Sequence, residues 1–219
     1  PGRYTVVFEP AATQELARWL LRSLDARVAD EGRGFFSGKA GASLFDRKLT
    51  LYSDPADPLA PDCPIGFEGV AQRARAWIDN GAVASFYRDR AYARKIGAEP
   101  VAHPRGFCVA GGSTPIEEMI RATKRGLLVT RLWYANMLDP RSLLLTGLTR
   151  DGNFVIENGE IVAPARNMRF NAGLAEVFGA IGALGPARRV WSAFEDGAAA
   201  SAPPMLIESF PFTSKSAGI

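Results

Sequence analysis

From Gly126 to Arg169 the chain reads as almost continuous strand. Leu127-Leu-Val-Thr-Arg-Leu-Trp-Tyr134 and Leu143-Leu-Leu-Thr146 are rich in large apolar, β-branched and aromatic residues, which suit a pleated and half-buried surface. Two turn signals follow, Asp151-Gly152 and Asn158-Gly159. Both dipeptides tolerate the positive φ that a type I′ turn requires, so Leu148 to Ile161 is expected to form a double hairpin. A block of this kind commits the chain to antiparallel pairing.

The flanking segments add helices to this antiparallel block. Tyr4 to Phe8 reads as a strand. Leu16, Trp19, Leu20, Leu24 and Val28 then recur at offsets of three and four, which predicts one helix ending before Asp30, with Arg18, Arg22 and Asp25 on its other side. Lys48 to Tyr52 is a strand, and Ser53 to Pro64, with its four prolines, is a long surface loop. Asn80-Gly81 predicts a hairpin within Ala76 to Tyr87, followed by a short helix from Asp89 to Ile96. Gly106 to Ala110 is another strand. Thr114-Pro115-Ile-Glu117 suggests an N-cap, a first-turn proline and a capping box; Gly111-Gly112 before it could cradle a phosphate but is a weak signal. A short helix over Asn171 to Phe178 and strands at Val190 to Phe194 and Pro204 to Glu208 complete the chain, with a small-residue loop from Gly197 to Pro203. The expected class is α+β: a mostly antiparallel, strongly twisted or barrel-like sheet with three to four helices.

Composition excludes several function classes. The formal charge is only +3, and the basic residues are scattered, which argues against nucleic-acid binding. No apolar run approaches the roughly 20 residues of a membrane-spanning helix, and no signal peptide opens the chain. Two cysteines, Cys63 and Cys108, make neither a disulfide framework nor a metal-ligand spacing, and fit a cytoplasmic protein with free thiols.

The search for chemistry is thin. His103 is the single histidine, beside Pro104 in a loop, and reads as a surface side chain. It would be the sole base available to a Ser–His–Asp triad, and no nucleophile elbow accompanies it. Glu68, Asp89 and Glu157 could act as acids or bases, but Glu68 and Glu157 sit at turn edges. Arg131, Arg166 and Arg169 read as a solvated strand face. No catalytic residue and no metal ligand emerges.

Several stretches together resemble the C-terminal domain of the TldD/PmbA proteins, a family named for modulation of DNA gyrase. They are FFSGKAGASLFDRKLTLYSDP (35–55), GFEGV (66–70), IDNGAVASFYRDRAYARKIG (78–97), the long block from Ile116 to Ile161, and NMRFN (167–171). The most specific part is KRGLLVTRLWY with the IENGEI hairpin behind it. The resemblance implies that residues 1–219 are a C-terminal domain whose family N-terminal domain would lie upstream of Pro1. It also implies a cytoplasmic zinc metallopeptidase system acting on unfolded peptides. Such a system works as a homodimer or as a heterodimer with a paralogous subunit, in which zinc belongs to one partner.

The family's zinc motif, H-E-x-x-x-H, lies on the helix after the first strand. By count it falls near Arg18-Trp19-Leu20-Leu21-Arg22-Ser23, which holds neither histidine nor glutamate. A late cysteine ligand is due around Glu195 to Ala202, where there is none. The expectation is a zinc-free, non-catalytic subunit with no cofactor of its own and zinc in a partner subunit. The alternative is a divergent metallopeptidase using carboxylates such as Glu195 and Asp196. Exposed strands suit the capture of an extended peptide as an added strand, and Asn153, Phe154, Val155 and Ile156 are the expected substrate-binding residues.

Overall fold

The computed structural model describes residues 1–191 and 198–216. In chain order the elements are β1 (Gly2–Phe8), α1 (Pro10–Arg22), α2 (Ala26–Asp30), β2 (Leu51–Ser53), β3 (Arg75–Asp79), β4 (Ala82–Val83), α3 (Arg90–Ile96), β5 (Phe107–Val109), α4 (Ile116–Ala122), β6 (Arg125–Asp139), β7 (Leu144–Glu157), β8 (Glu160–Pro164), β9 (Met168–Gly173), α5 (Leu174–Gly179), β10 (Ile181–Leu184), β11 (Arg188–Trp191), β12 (Ala199–Ala202) and β13 (Met205–Lys215).

The first sheet runs β1-β6-β7-β9-β13 and closes through β1–β13 pairing into a five-stranded barrel, with β8 attached to β7 and β10 to β13. Every pairing in it is antiparallel except β1 with β6. A second sheet runs β11-β12-β5-β2-β3-β4. Helix α1 lies between the two, touching β1 and β6 on one side and β11 and β12 on the other. Phe8, Phe170 and Phe210 meet in the barrel, with ring centroids 5.0 and 5.3 Å apart for Phe8–Phe210 and Phe170–Phe210. The expected class is therefore the observed one: α+β with a barrel.

Local chemistry explains several elements and corrects others. Asn80-Gly81 and Asn158-Gly159 take positive φ (46 and 81°, 50 and 86°) and turn β3 into β4 and β7 into β8. Asp89 caps α3 by accepting the Tyr92 N–H at 2.6 Å. Asp151-Gly152, in contrast, makes no hairpin. Pairing passes from Val129↔Asn153 to Arg131↔Arg150, so the dipeptide bulges opposite Thr130, whose hydroxyl bonds to the carbonyls of Arg150 and Gly152 at 3.2 and 3.0 Å. Leu148 to Ile161 thus holds one hairpin and one bulge.

The long helical stripe is two helices, because Asp25 accepts from the N–H groups of Arg27 and Val28 (2.8 and 3.3 Å) and starts α2 afresh. That split gives five α-helices among the described residues. Pro115 occupies the N-cap of α4 without a side-chain bond, so Thr114 is not the cap; its N–H goes to Leu184 O at 3.1 Å. Gly111-Gly112 serves the same close approach, since a Cβ on Gly112 would lie 2.3 Å from Leu184 O. The segment read as a small-residue loop contains β12, buried at every position. Alanine and serine are used there because two layers meet over them. Of the strand expected at Val190 to Phe194, β11 ends at Trp191, and Ser192 to Phe194 lie outside the described residues.

Candidate functional site

Helix α1 is the element on which the family resemblance places metal chemistry. Leu16, Leu20 and Leu21 are buried on its apolar stripe. The polar residues of α1 are buried as well: Thr13, Gln14, Glu15 and Arg18 are 6% exposed or less, because α1 is packed against the barrel on one side and β11 and β12 on the other. Arg18, placed by the sequence on the side away from the apolar stripe, is thus buried there. Glu15 and Arg18 form a two-point ion pair, Nη2–Oε1 at 2.5 Å and Nε–Oε2 at 3.2 Å. Trp19 Nε1 donates to Glu15 Oε1 at 3.2 Å, and the guanidinium carbons of Arg18 and Arg22 both sit 5.3 Å from its ring centroid.

These residues do not fit a zinc ion. Arg18 to Ser23 supplies two guanidinium groups and no imidazole or carboxylate, and a fixed cation at the site repels a second one. Among the described residues no group of three or more His, Cys, Asp or Glu side chains could hold a metal. Glu195 and Asp196 lie outside the described residues. Cys108 is buried on β5, and burial above all pushes its thiol up to about 12, away from thiolate chemistry.

The remaining sequence candidates do not converge. Glu68 accepts the Arg90 N–H at 2.8 Å, Asp89 is a helix cap, and Glu157 is exposed where β7 turns into β8. His103 is half-buried, with its ring edge-on to Tyr87 at 4.7 Å. Arg131 is compensated by Asp151 at 3.2 Å, while Arg166 and Arg169 are exposed.

Asn153 to Ile156 come together as consecutive residues of β7, but with strands on both sides: Leu127↔Val155 toward β6 and Val155↔Ala163 toward β8. Asn153 and Ile156 are buried, Phe154 and Val155 half-buried. Their main-chain groups are committed, so the edge open to an added strand is β8. It is exposed throughout, carries Ile161 and Val162 at 47 and 51% exposure, and is shortened by a bulge at Val162 and by Pro164.

Sequence reasoning missed a further feature, a cavity of about 640 Å³ beside β3 lined by Arg73, Arg75, Arg90 and Trp77. Its signal was present: Arg73, Arg75 and Trp77 alternate in QRARAW (72–77), the period of one strand face.

A family model described as the PmbA/TldA metallopeptidase C-terminal domain matches residues 1–214. The chain belongs to the TldD/PmbA family. Solved structures agree on the fold. A candidate modulator of DNA gyrase from Bacteroides thetaiotaomicron superposes with a TM-score of 0.81 at 21% identity, covering 97% of this chain and 47% of that one. One from Thermotoga maritima gives 0.82 at 20%, covering 97 and 50%. TldE from Thermococcus kodakarensis gives 0.82 at 21%, again covering 97 and 50%. No curated protein matches. The chain spans about half the length of the solved TldD/PmbA structures it resembles. Among the described residues, no helix is long and apolar enough to cross a membrane.

Proposed function

We propose that this TldD/PmbA domain is the substrate-channel and dimerisation part of a cytoplasmic, zinc-free subunit that acts on unfolded peptides and brings no catalyst or cofactor of its own. The observation that carries the reading is the buried Glu15–Arg18–Trp19 cluster at the position where the family resemblance places the zinc motif. A cationic, sterically filled helix face supports a role other than metal binding. Zinc then belongs to the partner subunit, whether the pair is of identical or paralogous chains.

Peptide capture falls to β8. Alternate residues of Glu160 to Val162 turn their N–H and C=O groups outward, and a peptide pairing there gains main-chain bonds with little sequence preference. Asn153 to Ile156 support that edge from the next strand in, through the pairing of Phe154 to Glu157 with β8. Subunit contact falls to the exposed Tyr134 and Leu138 of β6; Tyr134 is held at φ 48°, a conformation costly for an aromatic residue.

The test is elemental zinc per chain after exposure to zinc, together with binding of a labelled unfolded peptide. The expected result is no zinc, and peptide affinity that falls several-fold in Val162→Lys at unchanged thermal stability. One zinc per chain overturns the zinc-free reading and directs substitution to Glu195 and Asp196. Unchanged affinity in Val162→Lys overturns capture at β8.

A further inference from the structure

The cavity beside β3 is electrostatically incomplete. Its floor is fixed: Trp77 is 1% exposed, and its Nε1 donates to the buried Ser53 hydroxyl at 3.0 Å. The Arg75 guanidinium lies 5.9 Å from the Trp77 ring centroid. Arg90 is clamped at the opposite wall, with Nε and Nη2 donating to the carbonyls of Glu68 and Gly69 at 2.6 and 3.0 Å. Behind the wall, Arg88 donates to Glu99 O at 3.1 Å, while its buried Nε has no hydrogen-bond partner among the described residues.

None of these four arginines (73, 75, 88 and 90) is ion-paired with a carboxylate among the described residues. Burial first, and then the charges of Arg88 and Arg73, hold Arg75 below the ordinary guanidinium range. A guanidinium does not relieve such crowding by losing its proton, whereas a bound anion would.

We propose that this cavity is a carboxylate subsite, taking an acidic side chain or the free C-terminus of an extended, partly apolar peptide. The assignment rests on the peptide-handling reading above. Guanidinium groups match a carboxylate with two parallel bonds, and about 640 Å³ accommodates a side chain or two. The turn that closes the cavity exposes Ile65 and Phe67 at 60 and 69%, which offers apolar contact beside the charge. Glu99 in the wall and Glu68 on the same turn disfavour a multiply charged phosphate, and the scattered basic residues offer no track for a nucleic acid.

The test titrates the full chain with three probes: N-acetyl-Asp-Glu, too short to pair along β8; an extended apolar peptide with an acidic end; and the same peptide with Asn and Gln in place of the acids and an amidated terminus. Amidation of the acidic peptide alone separates terminal from side-chain recognition. The acidic peptide is expected to bind about tenfold more tightly than the neutral one, equivalent to about 1.4 kcal/mol, with the advantage shrinking as salt rises. The Arg73→Gln/Arg75→Gln pair removes that advantage and leaves neutral-peptide affinity unchanged. Arg73→Gln alone, at an exposed position, lowers it about threefold and guards against misfolding of the double variant. Equal affinity of acidic and neutral peptides, an advantage that survives both substitutions, or displacement of the dipeptide by inorganic phosphate at lower concentration than by carboxylate overturns the proposal. Neutral-peptide binding without dipeptide binding sinks the subsite alone. Dipeptide binding without any extended-peptide binding sinks the peptide-handling reading and leaves the subsite standing.

Discussion

Two groups of arginines in this molecule occupy opposite electrostatic situations. Arg18 on α1 is buried between the barrel and the second sheet, answered by Glu15 and stacked beside Trp19. Arg73, Arg75 and Arg90 line a water-accessible cavity with Arg88 behind its wall, and they repel one another without a paired carboxylate. The first is compensated within the fold, where α1 lies between two layers. The second has no paired carboxylate among the described residues, and the proposed peptide carboxylate would supply one. The two differ in whether the fold itself provides a carboxylate partner.

The largest effect should come from breaking the compensated group. Glu15→Ala leaves the Arg18 guanidinium buried without its carboxylate, and urea denaturation should show a loss of about 3–5 kcal/mol. Adding Arg18→Met removes that buried charge and should restore most of the loss; a double variant no more stable than the single one would mean that the pair's geometry, and not its charge, matters for stability.

An intermediate effect tests whether the cavity is a local opening or a sign of a loose second sheet. Cys108 lies on β5 of that sheet with its thiol pushed up from 9 to about 12 by burial. Iodoacetamide at pH 8 should label the exposed Cys63 and spare Cys108. The folded chain keeps the Cys108 proton over a window in which the unfolded chain has lost it, so stability should fall as pH rises from about 9 to about 12. Rapid labelling of Cys108 in the folded protein would place the cavity in a sheet that opens as a whole.

The smallest effect should come from the uncompensated group. Arg75→Gln removes a repelling charge and no ion pair, so stability should change by no more than about 0.5 kcal/mol, in either direction. A loss comparable to that of Glu15→Ala would make Arg75 a structural residue and erase the contrast.

Legibility in the sequence followed the range of the interaction. Asn80-Gly81 and Asn158-Gly159 turn where they were expected to because positive φ is a property of the dipeptide. Asp89 caps α3 because its bond partner lies three residues away. The strand-rich block and the α+β class were equally plain, since they need only composition and period, and the resemblance to the family showed which histidines α1 lacks. Asp151-Gly152 carries the same local preference as the two turns, yet it bulges within β7, because the register with β6 continues past it and outweighs the turn.

What the sequence determined by itself, then, is the set of elements, their turns and caps, and the absence of the motif's zinc ligands on α1. What only tertiary structure decided is which residues those elements bury and bring together. Glu15 and Arg18 are polar side chains that only the packing of α1 between two layers buries, and Ala199–Ala202 looks like a loop until it pairs with β5 and β11. Arg75 and Arg88 become neighbours because β3 and the segment ahead of α3 meet beside one cavity. Local preferences act over a few residues and can be read in order along the chain, whereas burial and charge act through space, between residues that only the closed barrel and its second sheet make adjacent.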